Sequence, residues 1–172
     1  MAVSIILLGL LHVLIYALAM PPWGLLDESQ HFHYIQVIAE EQRLPVMWQD
    51  QLSEEIIDSI FAVKRYITLG GSHMPDRAEI MAPGRLDSQS YEAYHPPLYY
   101  ALLALIYPFG PTDVLGKLFV LRLAGAVLSC LTLLIVWKST RLLWPDQTWI
   151  AGVATLFVAL HPERASSMGQ LN

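Results

Sequence analysis

The side chains placed to do chemistry fall in two short stretches. The first is Asp27-Glu28, followed by His31 and His33; the second is Glu92 and His95, with His95 running into Pro96-Pro97. Asp27 and Glu28 stand just beyond an uncharged apolar run. Ionised carboxylates are costly in lipid, so a pair at that boundary needs a reason. One reason is ordinary helix capping by Asp27 and solvation of Glu28. The other is catalysis: a carboxylate takes a proton from an acceptor hydroxyl or amine, or holds a divalent cation. His31 and His33 are two residues apart, which on a helix points them in different directions and suits a shared metal poorly. His95 precedes two prolines that fix the backbone and could present its imidazole rigidly, or it simply opens a helix. Arg85 and Asp87 could pair with a phosphate, with each other, or with water alone.

The elements that carry these residues are read from the apolar runs. Of 172 residues, 55% are hydrophobic and 15% charged, below the quarter charged that soluble domains carry. The pattern is that of an integral membrane protein. Ala2–Trp23 is long enough to cross a bilayer core of about 30 Å at 1.5 Å per residue. Ala17-Leu18-Ala19 also fits a signal-peptide cleavage site, but no Lys or Arg precedes the run. Pro21-Pro22 ends it, and Trp23 suits a membrane interface. From Asp27, the spacing of Phe32, Ile35 and Ile38 predicts a short amphipathic helix. Ser53 to Val63 reads as a further helix, and Gly70–Pro75 as a loop. Leu98–Phe109 is too short to span and reads as a helix on the membrane surface.

Leu118–Trp137 is a spanning helix, with Arg122 one turn inside it and Lys138 and Arg141 just after it. By the positive-inside rule that end lies in the cytoplasm. Trp149–Leu160 is a shorter third run returning outward. The sequence thus predicts an all-α membrane protein with about three transmembrane helices. Residues 1–23 form the first, 24–117 a long extracytoplasmic loop with juxtamembrane helices, and 118–172 the second and third. Twelve of the fifteen acidic residues lie between Pro21 and Tyr94, so that loop is acidic. The net charge of −5 disfavours nucleic acid as a partner. The single cysteine, Cys130, allows no disulfide within the chain and no cysteine-built zinc site. No glycine-rich phosphate loop or nucleophile elbow is present, which leaves a soluble nucleotide-sugar enzyme unsupported. The chain reads as the front of a longer product.

Asp27-Glu28 with His31-Phe32, then His95-Pro96-Pro97-Leu98 before a surface helix, resembles the protein O-mannosyltransferases. The pattern is similar too in the bacterial lipid A aminoarabinose transferases, which share the GT-C fold. Leu121–Ala126 resembles the start of their second spanning helix, and Lys138–Trp144 the basic turn after it. Two departures stand out: Glu92 matches loosely, and Tyr99-Tyr100 replaces the Gly-Lys of the mannosyltransferases. The resemblance implies a glycosyltransferase that moves a sugar from a polyprenyl-phosphate donor to an acceptor on the outer face of a membrane, in a bacterium the plasma membrane. Asp27 would be the catalytic carboxylate and Glu28 its support or a cation ligand. His31, Glu92, His95 and Arg122 would bind substrate, with Lys117, Arg122 or Arg85 facing the leaving phosphate. The implied partners are the lipid-linked donor and membrane lipids. The donor sugar, the acceptor and any divalent cation stay open. The competing readings are a transporter and a non-catalytic membrane subunit.

Overall fold

The computed structural model describes residues 1–24, 27–82 and 88–171. Arg85 and Asp87 lie outside the described residues. Helices carry the fold, and among the described residues there is no strand, only one bridge between Gln51 and Gln89. The chain forms two compact units: Met1–Met20 with Arg122–Leu171, and Pro21–Leu121. The long loop expected over residues 24–117 is therefore a folded body with its own core.

The first unit contains α1 (Ala2–Ala19), most of α7 (Val114–Leu143), α8 (Thr148–Ala159) and α9 (Pro162–Gly169). α1 packs against α8 and α9. Small residues set the approach: a Cβ on Gly9 would lie 2.4 Å from Leu133 and 3.1 Å from Ala159. Close backbone packing of this kind is how helices associate without a hydrophobic gradient between them. The core is Val13, Ala126 and Ala165, with Leu10, Leu14, Tyr16 and Met168 against it. The buried Arg122 guanidinium donates to the Ala17 and Met20 carbonyls at 3.2 and 2.9 Å. It thereby satisfies carbonyls that the end of α1 leaves without intrahelical partners.

α1 and α7 are long and apolar enough to cross a membrane. Only 17% of the α1 window is buried, and Val3, Leu7, Leu11, Ile15 and Leu18 face outward. α7 runs 30 residues, about 45 Å, and differs from the expected Leu118–Trp137 at both ends. Lys138 marks the end of the apolar run, yet long basic side chains sit readily on a helix that overruns an apolar slab. The Lys138–Trp144 turn is likewise helix as far as Leu143. α8 has 12 residues, about 18 Å and short of a 30 Å core. The described helices therefore include two of spanning length where three were expected.

The second unit holds α2 (Glu28–Gln36), a π-helical turn (Val37–Glu41), α3 (Glu54–Ala62), α4 (Arg65–Thr68), α5 (Arg77–Ile80), a 3₁₀ turn (Tyr91–Tyr94), α6 (Leu98–Ala104) and a second 3₁₀ turn (Tyr107–Phe109). α3 follows its sequence signal: the Ser53 side chain accepts from the Ile56 N–H, and Ile56, Ile57 and Ile60 turn inward. The expected surface helix over Leu98–Phe109 is α6 followed by the second 3₁₀ turn. α2 departs from expectation, since all nine of its residues are buried. It packs against α6 and both adjoining turns, which cover the polar face that the periodicity assigned to solvent. Trp23, expected at an interface, is fully buried; its ring lies edge-on to Phe32 and its Nε1 donates to Ser59 Oγ at 3.1 Å.

Candidate active site

Asp27 occupies the N-cap position of α2, and its carbonyl accepts from the Gln30 and His31 N–H groups at 2.9 and 3.0 Å. Its side chain makes no capping hydrogen bond. The carboxylate instead lies 3.8 Å from His31 Nε2, one helical turn on. His31 is 2% exposed and Asp27 30%, so a buried imidazole backs a carboxylate that solvent and solutes can reach.

The second stretch meets the first through α6 and the turn before it. His31 Nδ1 is 2.8 Å from the Tyr100 hydroxyl. Tyr100 stacks on Tyr34 with ring centroids 3.9 Å apart, and the Tyr34 hydroxyl donates to the His95 carbonyl at 3.1 Å. Those contacts hold the His95 ring 5.7 Å from that of His31. On the 3₁₀ turn, Glu92 places its carboxylate 2.7 Å from His95 Nε2. One ligand atom from each of Asp27, His31 and Glu92 falls within 4.8 Å of the others. The floor of the site is His31 and Glu92, and its open side is Asp27 and His95, at 30% and 37% exposure.

The electrostatics follow from this packing. The His31 imidazole beside Asp27 holds its carboxyl below the ordinary value of 3.8, more than offsetting burial, and Arg65 adds to the effect. Asp27 is thus an anion at neutral pH. Burial pushes the Tyr91 and Tyr99 hydroxyls up to about 12, and Tyr100 higher still. All three stay protonated and available as hydrogen-bond donors.

The other expected site residues distribute as follows. Glu28 is fully buried, and its charge helps raise Tyr99; it is not one of the Asp27, His31 and Glu92 trio. His31 and His33 are both buried, and the charged neighbours of His33 are Asp50, Glu41 and Arg43. Lys117 stands over the Tyr107 ring at 4.1 Å and 3.7 Å from Glu40. Arg122 belongs to the unit built from α1, α7, α8 and α9.

Sequence reasoning missed Arg65, which is 2% exposed and donates from Nε to the Trp23 carbonyl at 3.2 Å. In Lys64-Arg65-Tyr66 nothing distinguishes it from a solvated loop cation. Tyr100 was visible only as part of Tyr99-Tyr100 in the expected surface helix. No protein-family model, curated protein or solved structure matches the chain.

Proposed function

We propose that the protein is a glycosyltransferase that moves a sugar from a polyprenyl-phosphate donor to an acceptor on the extracytoplasmic face of a membrane. One observation carries the reading. Asp27 and His31 on one side, and Glu92 and His95 on the other, come from segments more than sixty residues apart and share a single site. These are the two stretches whose pairing the resemblance implies. The apolar outer faces of α1 and α7 support a membrane setting, because a water-facing helix carries polar residues there. A polyprenyl tail lies in such lipid while its phosphosugar stands at the edge.

In this reading the acceptor hydroxyl donates to the exposed Asp27 carboxylate. The acceptor oxygen forms a bond to the anomeric carbon as the bond from that carbon to the phosphate oxygen breaks. The acceptor proton passes to Asp27, and the electron pair leaves on polyprenyl phosphate, which departs already as an anion. His95, half-exposed beside Glu92, lines the donor-phosphate side. Low basicity limits Asp27 as a proton abstractor early in the step, so its main early contribution is orienting the acceptor.

The test is release of polyprenyl phosphate from a synthetic polyprenyl-phosphate sugar by membranes carrying the protein. Asp27→Asn is expected to lower the rate at least about 100-fold, with membrane insertion unchanged. Equal rates in the variant, or no release by the parent protein from any donor tried, would rule the reading out. Topology is an independent check, by labelling cysteines introduced at Ser53, Thr112 and Ser139 in a Cys130→Ser background. Labelling from outside at Ser53 and Thr112 but not at Ser139 is expected. Protection at Thr112 with labelling at Ser139 would favour a transporter instead.

A further inference from the structure

We propose that Asp27, His31 and Glu92 form a transition-metal site, of the zinc or manganese class, in the second unit. The proposal goes beyond the transfer reaction and holds whether or not that reading does.

Three observations converge. The first is the donor set: two carboxylates and one imidazole, each offering an atom within 4.8 Å of the other two. Ligand atoms around a tetrahedral zinc ion at 2.0–2.1 Å lie about 3.3 Å apart. The 3.8 Å from Asp27 to His31 therefore needs only a small side-chain rotation to close. The second is that His31 Nε2 is buried and makes no hydrogen bond among the described residues. Its nearest charged neighbour, Asp27, lies beyond hydrogen-bonding distance. A buried polar atom of this kind calls for a partner, and a cation at the centre of the trio is one.

The third is the surrounding shell. The other ring nitrogen of His31 meets the Tyr100 hydroxyl at 2.8 Å. With Nδ1–H donating there, the lone pair on Nε2 points to the trio, the arrangement that metal-binding histidines require. Glu92 Oε2 lies 2.7 Å from His95 Nε2, yet it too is buried and makes no hydrogen bond among the described residues. The imidazole in the donor set favours zinc or iron over magnesium or calcium, which take oxygen ligands, and the two carboxylates also suit manganese. With three protein ligands, at least one coordination position stays open, on the exposed side of Asp27.

The test uses the purified, detergent-solubilised protein, with Zn²⁺ counted after desalting and Co²⁺ as a spectroscopic probe. One zinc per chain is expected, with visible Co²⁺ absorption of an imidazole-ligated ion. His31→Gln and Glu92→Gln should each lower retained metal at least tenfold. His33→Gln alters a buried histidine outside the trio and should retain it in full. Tyr100→Phe should weaken binding about tenfold. Glu92→Gln is isosteric and carries the test should His31→Gln fail to fold. No retention by the parent protein, or equal retention by Glu92→Gln with normal helix content, would overturn the site. Because the readout is bound metal, the result stands apart from any result on sugar transfer.

Discussion

Replacing Tyr100 by phenylalanine deletes one oxygen, and the neighbouring Tyr99 supplies its own control. The Tyr100 hydroxyl meets His31 Nδ1 at 2.8 Å, and both residues are buried. The Tyr100 ring keeps its stack on Tyr34 after the change, so the packing contribution is nearly constant. What remains is a buried ring nitrogen with its partner removed, which costs about 1–3 kcal/mol. The Tyr99 hydroxyl is also buried but has no hydrogen-bond partner among the described residues. Removing it takes away a desolvation penalty, so Tyr99→Phe should be neutral or stabilise by up to about 1 kcal/mol. At about 2–4 °C per kcal/mol for a chain of this size, Tyr100→Phe should lower Tm by roughly 2–12 °C. Tyr99→Phe should not lower it. Thermal unfolding of the solubilised protein, followed by circular dichroism, reads both. Equal shifts for the two variants, or a larger loss for Tyr99→Phe, would refute the hydrogen-bond network described for the site.

Three further outcomes are expected. The Asp27 carboxyl is held below 3.8 by His31; its stabilising contribution is fully present above that value and is lost as pH falls through the folded value. Unfolding midpoints of the parent protein should therefore drop more steeply in acid than those of Asp27→Asn. Burial lowers His33 from 6.5, so its neutral form is favoured in the fold. That contribution is present above pH 6.5 and is lost as pH falls toward the folded value, and His33→Gln should flatten the same curve in that window. Finally, a Cβ on Gly169 would lie 2.8 Å from the Val13 carbonyl oxygen and 2.9 Å from the Ala17 nitrogen. Backbone cannot step aside as a side chain can, so Gly169→Ala should cost about 1–3 kcal/mol in a thermal melt.

The parts of the fold legible in the sequence are those set by short-range signals. The uncharged run from Ala2, read as far as Trp23 and helical to Ala19, the helix read over Ser53 to Val63, the loop at Gly70 and a helix starting near Asp27 all depend on residues a few positions apart. What escaped depends on distant segments. Periodicity in α2 reports one apolar face, yet chain from residues 91–104 covers its polar face, and the helix is buried on every side. The stacking of Tyr100 on Tyr34 and the approach of the His95 ring to His31 are likewise tertiary facts. Glu92 was near at hand but weak as a signal, because a lone acid in a polar stretch usually faces water. Asp27 was placed correctly at the helix start, but the rotation of its side chain away from the cap and toward His31 is not written in local spacing.

The Arg122 hydrogen bonds to Ala17 and Met20 also bear on how the protein is made. The carbonyls at the end of α1 leave the ribosome about a hundred residues before the guanidinium that binds them. During synthesis the last turn of α1 must therefore find other partners for these carbonyls until the later helix arrives. In a membrane, insertion of the two helices would be coupled: the cation would enter more cheaply where α1 already stands to receive it. A nascent chain halted before residue 122 should hold α1 more loosely than the finished one.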